Sequence, residues 1–187
     1  MKKIFMLLAA VMISMTAWAD AEVKDGNLAP LKNADARVLI TWDYSKMTIE
    51  DKAPTEFLKE KGPDWEKDYP AEVSAGEAAF DVLFNKKDKK YAQITDDDEA
   101  AQYEFIIHVD KFHYGSLGAA IAFGGFARGA HIEGTVEVVK LANKSKIASI
   151  QFDCSGAAAY SNEARRVLAY QDLAKDMAKL IGKAKAK

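Results

Sequence analysis

The chain has 187 residues, of which 29% are charged, and its formal net charge is −2. This charge argues against a nucleic-acid or anionic-membrane partner, because such partners are recognised by an excess of basic residues. The length suffices for one domain with a core of its own. The sole cysteine, Cys154, excludes an intramolecular disulfide, and its alternation with Ile150 and Phe152 predicts a small buried side chain on a strand.

The first 19 residues have the three parts of a secretory signal peptide. Two lysines at positions 2 and 3 precede an uncharged run at 4–19, which ends in the small-x-small triplet Ala17-Trp18-Ala19. The run is shorter than the roughly 20 residues that a membrane-spanning helix needs. We therefore expect cleavage near Ala19 and a soluble mature protein, periplasmic or secreted. Asp20 follows the cleavage site, where a lipoprotein would carry cysteine.

The rest of the chain is predicted to form one domain. Residues 20–36 are polar and small, which predicts an extended N-terminal segment. We place the domain at 37–182, and a basic tail follows at 183–187. Removing residues 1–19 takes away two lysines and lowers the net charge from −2 to about −4.

The first half of this domain predicts a strand and then two helical stretches. Residues 38–42 are branched and aromatic, as in strands. Pro54 opens the first helical stretch, and Gly62-Pro63 interrupts it. The second stretch covers about 71–84, where an apolar stripe recurs at steps of three and four residues.

The second half predicts most of the sheet. Residues 91–94 form a short strand, and 103–112 form a long one with Phe105, Ile107 and Val109 on one side. Ile106, His108 and Asp110 point to the other side. Residues 131–141 and 147–154 form a β-hairpin.

A closing helix begins near Asn162, capped by Ser161 or Asn162. Its apolar stripe includes Val167, Tyr170 and Met177, and we expect Arg165 and Arg166 to lie off the stripe. The order of elements predicts an α+β fold: a single antiparallel or mixed β-sheet with helices packed on one face and a closing C-terminal helix.

The hairpin "GTVEVVKLANKSKIASIQFDCSG" and the closing helix "ARRVLAYQDLAKDMAKLI" resemble uncharacterised exported envelope proteins of Gram-negative bacteria. Their domain is similar to the amino-terminal domain of TolB and to curli-assembly lipoproteins. The early "WDYSKMTIEDKAPTEFLKEKG" also resembles a recurrent opening in secreted proteins of Gram-negative anaerobes. The resemblance covers about 37–181 and implies an α/β envelope domain without known catalytic residues. Unlike the lipoprotein members, this chain lacks the lipidated cysteine.

Two strands carry histidine and carboxylate at alternate positions. His108 and Asp110 share one side of a strand, and His131 and Glu133 repeat the pattern. Imidazole and carboxylate bind divalent metals when the fold brings them together, with His113 as a further donor. The alternative is a set of ordinary polar side chains on a solvated sheet face. The sequence predicts no other cofactor.

A Gly/Ala-rich segment at 115–130 contains five glycines and five alanines. One interpretation is a phosphate cradle, although the nucleotide fingerprint is missing. A second is an interaction loop, with apolar side chains at Leu117, Ile121, Phe123 and Phe126. The third is a packed crossing, in which the small residues permit a close approach to a helix.

No signature of nucleophilic catalysis surrounds a serine or the cysteine. The leading hypothesis is a non-enzymatic binding or assembly factor of the envelope, whose partner is an envelope protein or a small molecule. One alternative is a metal-assisted hydrolase that uses His108, Asp110, His131 and Glu133. Another is a small-molecule carrier with a pocket lined by Phe105, Phe126 and Tyr170. The oligomeric state is left open.

Overall fold

The structure, a computed structural model, describes residues 21–87, 90–115 and 128–185. Its strands are β1 (Glu22–Gly26), β2 (Arg37–Asp43), β3 (Thr48–Ile49), β4 (Gln93–Ile94), β5 (Tyr103–His113), β6 (Arg128–Lys140) and β7 (Ser145–Ala157). Its helices are α1 (Pro54–Lys61), α2 (Pro63–Lys87) and α3 (Asn162–Lys183), with a 3₁₀ turn at Ala29–Lys32.

The seven strands form one open mixed sheet in the order β1-β7-β6-β5-β2-β4, and β3 pairs with β5. The β5–β6, β6–β7 and β7–β1 pairs are antiparallel, whereas β2 runs parallel to both β4 and β5. The predicted α+β class, with a single sheet and a closing C-terminal helix, is confirmed.

One face of the sheet is covered by α2 and α3. Alternate strand residues are buried on this face, including Val38, Phe105, Ile107, Val136, Ile150 and Phe152. Aromatic rings of the two helices pack against Trp42 of β2. Its ring centre lies 5.3 Å from that of Phe80 on α2 and 5.1 Å from that of Tyr170 on α3. Aromatic contacts of this kind add to the free energy gained from burial.

Helix α2 begins eight residues earlier than the predicted position 71, directly after Gly62. Gly62 ends α1 with a φ of 101°, a value that favours glycine, and its N–H donates to the Leu58 carbonyl. Pro63 is tolerated as the first residue of α2, because the N–H groups of the first helical turn have no acceptor within the helix and proline merely lacks one of them. The buried row of α2 steps by four residues: Glu72, Gly76, Phe80 and Phe84.

Helix α3 packs tightly on β7, and its capping follows the prediction. The Ser161 hydroxyl accepts a hydrogen bond from the Ala164 N–H at 3.1 Å. The closest approach is at Gly156, where an added Cβ would lie 2.6 Å from both Ala169 N and Leu168 C. No side chain fits there without a shift of the helix backbone.

The N-terminal segment belongs to the folded unit. Strand β1 pairs with β7, and Leu28 and Leu31 are buried in the core. The packed unit therefore begins well before Arg37. In the described part of the chain, none of the helices combines the length and the apolarity needed to cross a membrane.

Gly156→Ala is expected to lower the free energy of unfolding by about 2 kcal/mol, because the methyl group would overlap the α3 backbone. Gly182→Ala is the matched control: its Cβ would meet Tyr91 at 3.5 Å, an ordinary contact. Alanine is also the better helix former, so this variant should be neutral or slightly stabilised. Urea denaturation followed by circular dichroism measures both, and equal effects at the two positions would contradict the packing described.

A pH-dependent stability is expected from Asp81 on α2. Burial and the neighbouring Glu77 raise the pKa of Asp81 from 3.8 to about 6. The folded state therefore binds this proton more tightly, and ionisation destabilises the fold as the pH rises through 6. Since Asp81 is only partly buried, Asp81→Asn should stabilise the protein by only about 1 kcal/mol near pH 7.5.

This gain should shrink as the pH falls from 6 towards 4, where the Asp81 carboxyl of the folded protein is neutral. Paired denaturation curves of the two proteins at both pH values provide the measurement. A gain of the same size at pH 7.5 and pH 4 would show that Asp81 titrates normally.

Candidate functional site

A solvent-open cleft of about 630 Å³ lies at the end of the sheet where β5 stops. Helix α1, the start of α2, the residues after β5 and the start of α3 contribute to its walls. They supply Glu50, Lys52, Phe57, Glu60, Lys61, Trp65, Tyr114, Gly115, Tyr160, Asn162 and Arg165. A concave site with an apolar wall and a few polar groups is typical of ligand pockets.

The apolar wall of the cleft is a set of three aromatic rings. Phe57 stacks on Tyr114 at 5.9 Å between ring centres, and Trp65 meets both rings edge-on at 5.6 Å and 5.1 Å. The Lys61 ammonium lies 5.3 Å from the Phe57 ring centre and 5.6 Å from that of Trp65. The wall thus joins an aromatic surface to a positive charge.

The polar rim is partly neutralised. The Lys52 ammonium donates to Glu60 Oε1 at 2.7 Å. Glu50 accepts the Tyr114 N–H at 2.8 Å on one oxygen, and its other oxygen lies 3.2 Å from His113 Nδ1. Among the residues that the structure describes, neither Lys61 nor Arg165 forms an ion pair. The net character of the cleft is therefore positive.

A buried arginine stands behind the aromatic wall. Arg166 of α3 is fully buried, and its Nη2 donates to the Tyr114 hydroxyl at 2.8 Å. That hydroxyl donates in turn to Glu72 Oε2, also at 2.8 Å, and Arg166 Nε lies 4.0 Å from the same oxygen. The guanidinium carbon is 3.9 Å from the Phe112 ring centre and 5.0 Å from that of Tyr69.

We call Arg166, Glu72 and Tyr114 the arginine cluster. Burial raises the pKa of Tyr114 well above its usual value, although Arg166 opposes the shift, so the phenol stays a donor. The Nε and Nη1 atoms of Arg166 have no hydrogen-bond partner in the described part of the chain. Aromatic faces surround the charge instead.

The expectation that Arg165 and Arg166 lie off the apolar stripe was wrong, because both are buried. Arg166 precedes Tyr170 by four residues, and Leu173 and Met177 continue the same row, so the helical period did place it inward. Glu72 likewise begins the buried row of α2. The four-residue spacing indicates burial of both side chains, whereas their charge is typical of exposed residues.

All three histidines lie on the face of the sheet opposite α2 and α3. His108 Nδ1 lies 2.8 Å from Asp43 Oδ2. Hydrogen bonds from Ser45 and from His108 hold the pKa of Asp43 at about 2. His113 on β5 is opposite His131 on β6, and their ring centres are 6.0 Å apart.

The four predicted metal-binding residues do not form one group. His108 is opposite Thr135, four residues along β6 from His131, which is about 13 Å at the usual rise per residue. A β-bulge between Val109 and Lys111 interrupts the register and leaves Asp110 exposed, so Lys111 takes the place opposite Glu133. The hydrolase hypothesis required convergence of all four, which this geometry does not provide.

His131 and Glu133 instead meet two residues of β7. In the register, His131 is opposite Ser155 and Glu133 is opposite Asp153. His131 Nδ1 lies 2.9 Å from the Ser155 hydroxyl, and Nε2 lies 2.9 Å from both Glu133 Oε1 and Asp153 Oδ1. Alternation along β6 and β7 excludes a register slip of one residue, which would turn every side chain to the other face, but a slip of two residues keeps the pattern, so the sequence did not predict this cross-strand pairing.

The other predicted site residues have different outcomes. Leu117, Ile121, Phe123 and Phe126, the predicted interaction loop, lie outside the described residues. Phe105 and Tyr170, proposed for a carrier pocket, are fully buried and packed against other rings. Cys154 is buried as expected, and burial raises the pKa of its thiol.

Comparisons with known proteins give neighbours of low similarity. No family model matches the chain, and no curated protein does. A PelC dodecamer from Paraburkholderia phytofirmans is 11% identical, with 83% of this chain and 96% of that chain covered and a TM-score of 0.46. A putative neuraminyllactose-binding hemagglutinin homolog from Helicobacter pylori is 14% identical, with coverages of 83% and 87% and a TM-score of 0.39.

A DUF330 protein from Xanthomonas campestris is 12% identical, with coverages of 76% and 79% and a TM-score of 0.33. All three are bacterial proteins, and none is described as a TolB domain or a curli-assembly lipoprotein. That resemblance stays a prediction. The TM-scores of these three structures lie between 0.33 and 0.46, a likeness too weak to assign a function to this chain.

Arg166→Met is expected to lower the free energy of unfolding by about 3 kcal/mol, because it leaves the Glu72 carboxylate buried without its counter-charge. Adding Glu72→Gln should recover part of the loss. Lys175→Met on the exposed side of α3 is the matched control and should change stability by less than about 0.5 kcal/mol. Urea denaturation of the four proteins tests this, and a double variant no better than Arg166→Met would contradict the pairing.

Proposed function

We propose that this protein is an exported, non-enzymatic binding factor of the bacterial cell envelope, which holds a partner in the cleft at the end of its sheet. The observation that carries the proposal is the aromatic wall formed by Phe57, Trp65 and Tyr114 beside Lys61. Trp65 is partly exposed and Lys61 is exposed at the solvent-open cleft, whereas Phe57 and Tyr114 line it with only 3% of their surface accessible.

The arginine cluster supports the proposal because it makes the wall rigid. Tyr114 is held on its hydroxyl by Arg166 and Glu72 and on its backbone N–H by Glu50. A binding surface that is already ordered loses little conformational entropy when a partner arrives. Such rigidity is what an aromatic contact surface needs in order to contribute affinity.

The charges of the cleft indicate the chemistry of the partner. Lys61 and Arg165 are the cations without an ion pair in the described cleft, while Lys52 is occupied by Glu60. We propose an anionic partner that presents an apolar group to the aromatic wall. Charge complementarity of this kind raises the association rate and selects among partners.

The predicted interaction loop is joined in sequence to a residue of the cleft. Residues 116–127 connect Gly115, which lines the cleft, to Arg128 at the start of β6. We propose that its apolar residues Leu117, Ile121, Phe123 and Phe126 contact the partner as well.

Site-specific photo-crosslinking in cells tests the proposal. Tyr160 at the mouth of the cleft and Val82 on α2 are exposed large apolar residues, at 82% and 70% of their accessible surface. A photoreactive amino acid at 160 should give a discrete adduct with an envelope component, and the same label at 82 should not. The crosslinked protein should begin at Asp20, as expected after export.

Lys61→Glu provides the charge control. It reverses one cation of the cleft and should reduce the adduct at position 160 by about tenfold. Identical adducts from positions 160 and 82, or an adduct that Lys61→Glu leaves intact, would contradict the cleft as the binding site. A full-length protein with an intact signal segment in the cytoplasm would contradict the proposed export.

A further inference from the structure

The sheet face opposite α2 and α3 carries a compact group of side chains that the cleft does not use. His131 and Glu133 on β6 and Asp153 on β7 place a ring nitrogen and two carboxylate oxygens within 4.8 Å of one another. The His131 side chain is 17% exposed, and the carboxylates are exposed at 34% and 42%. The group is therefore reachable from solvent but held by the strand pairing around it.

A neutral His131 imidazole cannot satisfy every polar atom of this group, because three acceptor atoms surround it. A neutral imidazole has one N–H, and the Ser155 hydroxyl lies 2.9 Å from Nδ1. If Nδ1 carries the proton, Nε2 presents a lone pair to two carboxylate oxygens, each 2.9 Å away. Asp153 Oδ1 is also shielded from solvent and accepts no hydrogen bond from any described residue.

We propose that His131 Nε2, Glu133 Oε1 and Asp153 Oδ1 form a binding site for a divalent transition-metal ion of the zinc type. Ligand atoms around such an ion lie about 3.3 Å apart when each is about 2 Å from the metal in tetrahedral geometry. The two N–O separations of 2.9 Å are close to that spacing. A cation between the three atoms satisfies the lone pair and both carboxylates together.

The surroundings have the features that support a metal ligand. A metal-bound histidine usually donates its other N–H to a hydrogen-bond acceptor, which fixes the ring, and Ser155 is placed to accept from Nδ1. Lys111 Nζ lies 3.7 Å from Glu133 Oε2, the oxygen that the proposed site does not use. His113 adds a nitrogen donor beside the group, with its Nδ1 directed to Glu50.

The donor set selects the class of metal. One imidazole with two carboxylates suits zinc and its first-row neighbours, whereas magnesium and calcium prefer sites made of oxygen alone. Lys111 disfavours any cation at this site by its charge, so the affinity should be moderate. The second group of possible ligands, Cys154 with Asp172 and Asp176, is a weaker candidate, because burial raises the pKa of the Cys154 thiol and a metal needs the thiolate.

Isothermal titration calorimetry with Zn²⁺ on the untagged mature protein is the test. We expect one site per chain and a loss of affinity of tenfold or more in Asp153→Asn and in Glu133→Gln, since both keep the shape but remove the charge. His108→Gln is the control: it removes a more exposed histidine, at 35% against 17% for His131, that is paired with Asp43 on the same face. It should bind Zn²⁺ like the parent protein, and Mg²⁺ should not compete.

Nitrogen NMR of the histidine rings supplies a second readout that does not depend on the variants. Zn²⁺ should shift the Nε2 resonance of His131 and leave both nitrogens of His108 in place. The proposal is overturned if the parent protein binds no Zn²⁺, or if Asp153→Asn binds like the parent while still folded. It is also overturned if His108→Gln loses as much affinity, or if His131 carries protons on both nitrogens throughout the titration with zinc.

Discussion

The charge of Arg166 is the constraint on which this end of the molecule depends. Removing a guanidinium from water is expensive unless hydrogen bonds, an opposite charge or aromatic faces replace the solvent. The groups that replace water around Arg166 come from separate parts of the chain. Glu72 and Tyr69 belong to α2, Phe112 belongs to β5, and Tyr114 directly follows β5. The two long helices and the end of the central strand are therefore held in one relative position.

The cleft follows from that constraint. Tyr114 uses its hydroxyl for the arginine cluster, and one face of its ring stacks on Phe57 at the cleft. The backbone N–H of Tyr114 donates a hydrogen bond to Glu50. The second carboxylate oxygen of Glu50 lies 3.2 Å from Nδ1 of His113, on the opposite face of the sheet. Direct contacts thus link the arginine cluster, the cleft and His113, although the three places carry different groups: a buried charge, an aromatic wall and a histidine on the other sheet face.

The sequence was a good guide where one period dominated. The alternation of β5 and the hairpin β6–β7 predicted which side chains face the core, and Ser161 marked the start of α3. It was a poor guide where charge and period disagreed, as at Arg166 and Glu72, because burial of a charge depends on partners far along the chain.

The proposed metal site likewise combines residues that the sequence could predict with one that it could not. His131 and Glu133 could be recognised from alternation within one strand. Asp153 could not, since its place beside them depends on the register between β6 and β7. Asp110 was expected beside His108, and the bulge after Val109 displaced it, a feature that no local pattern announces.

The pairing of β1 with β7 has a consequence for how the chain folds. Glu22, at the start of the described chain, lies opposite Gln151, so this edge of the sheet cannot close until nearly all of the polypeptide is present. Contacts between such distant residues slow folding, because a long loop must be ordered before they form. For a protein that we propose is exported, this delay favours an unfolded chain during translocation and completion of the sheet only after arrival.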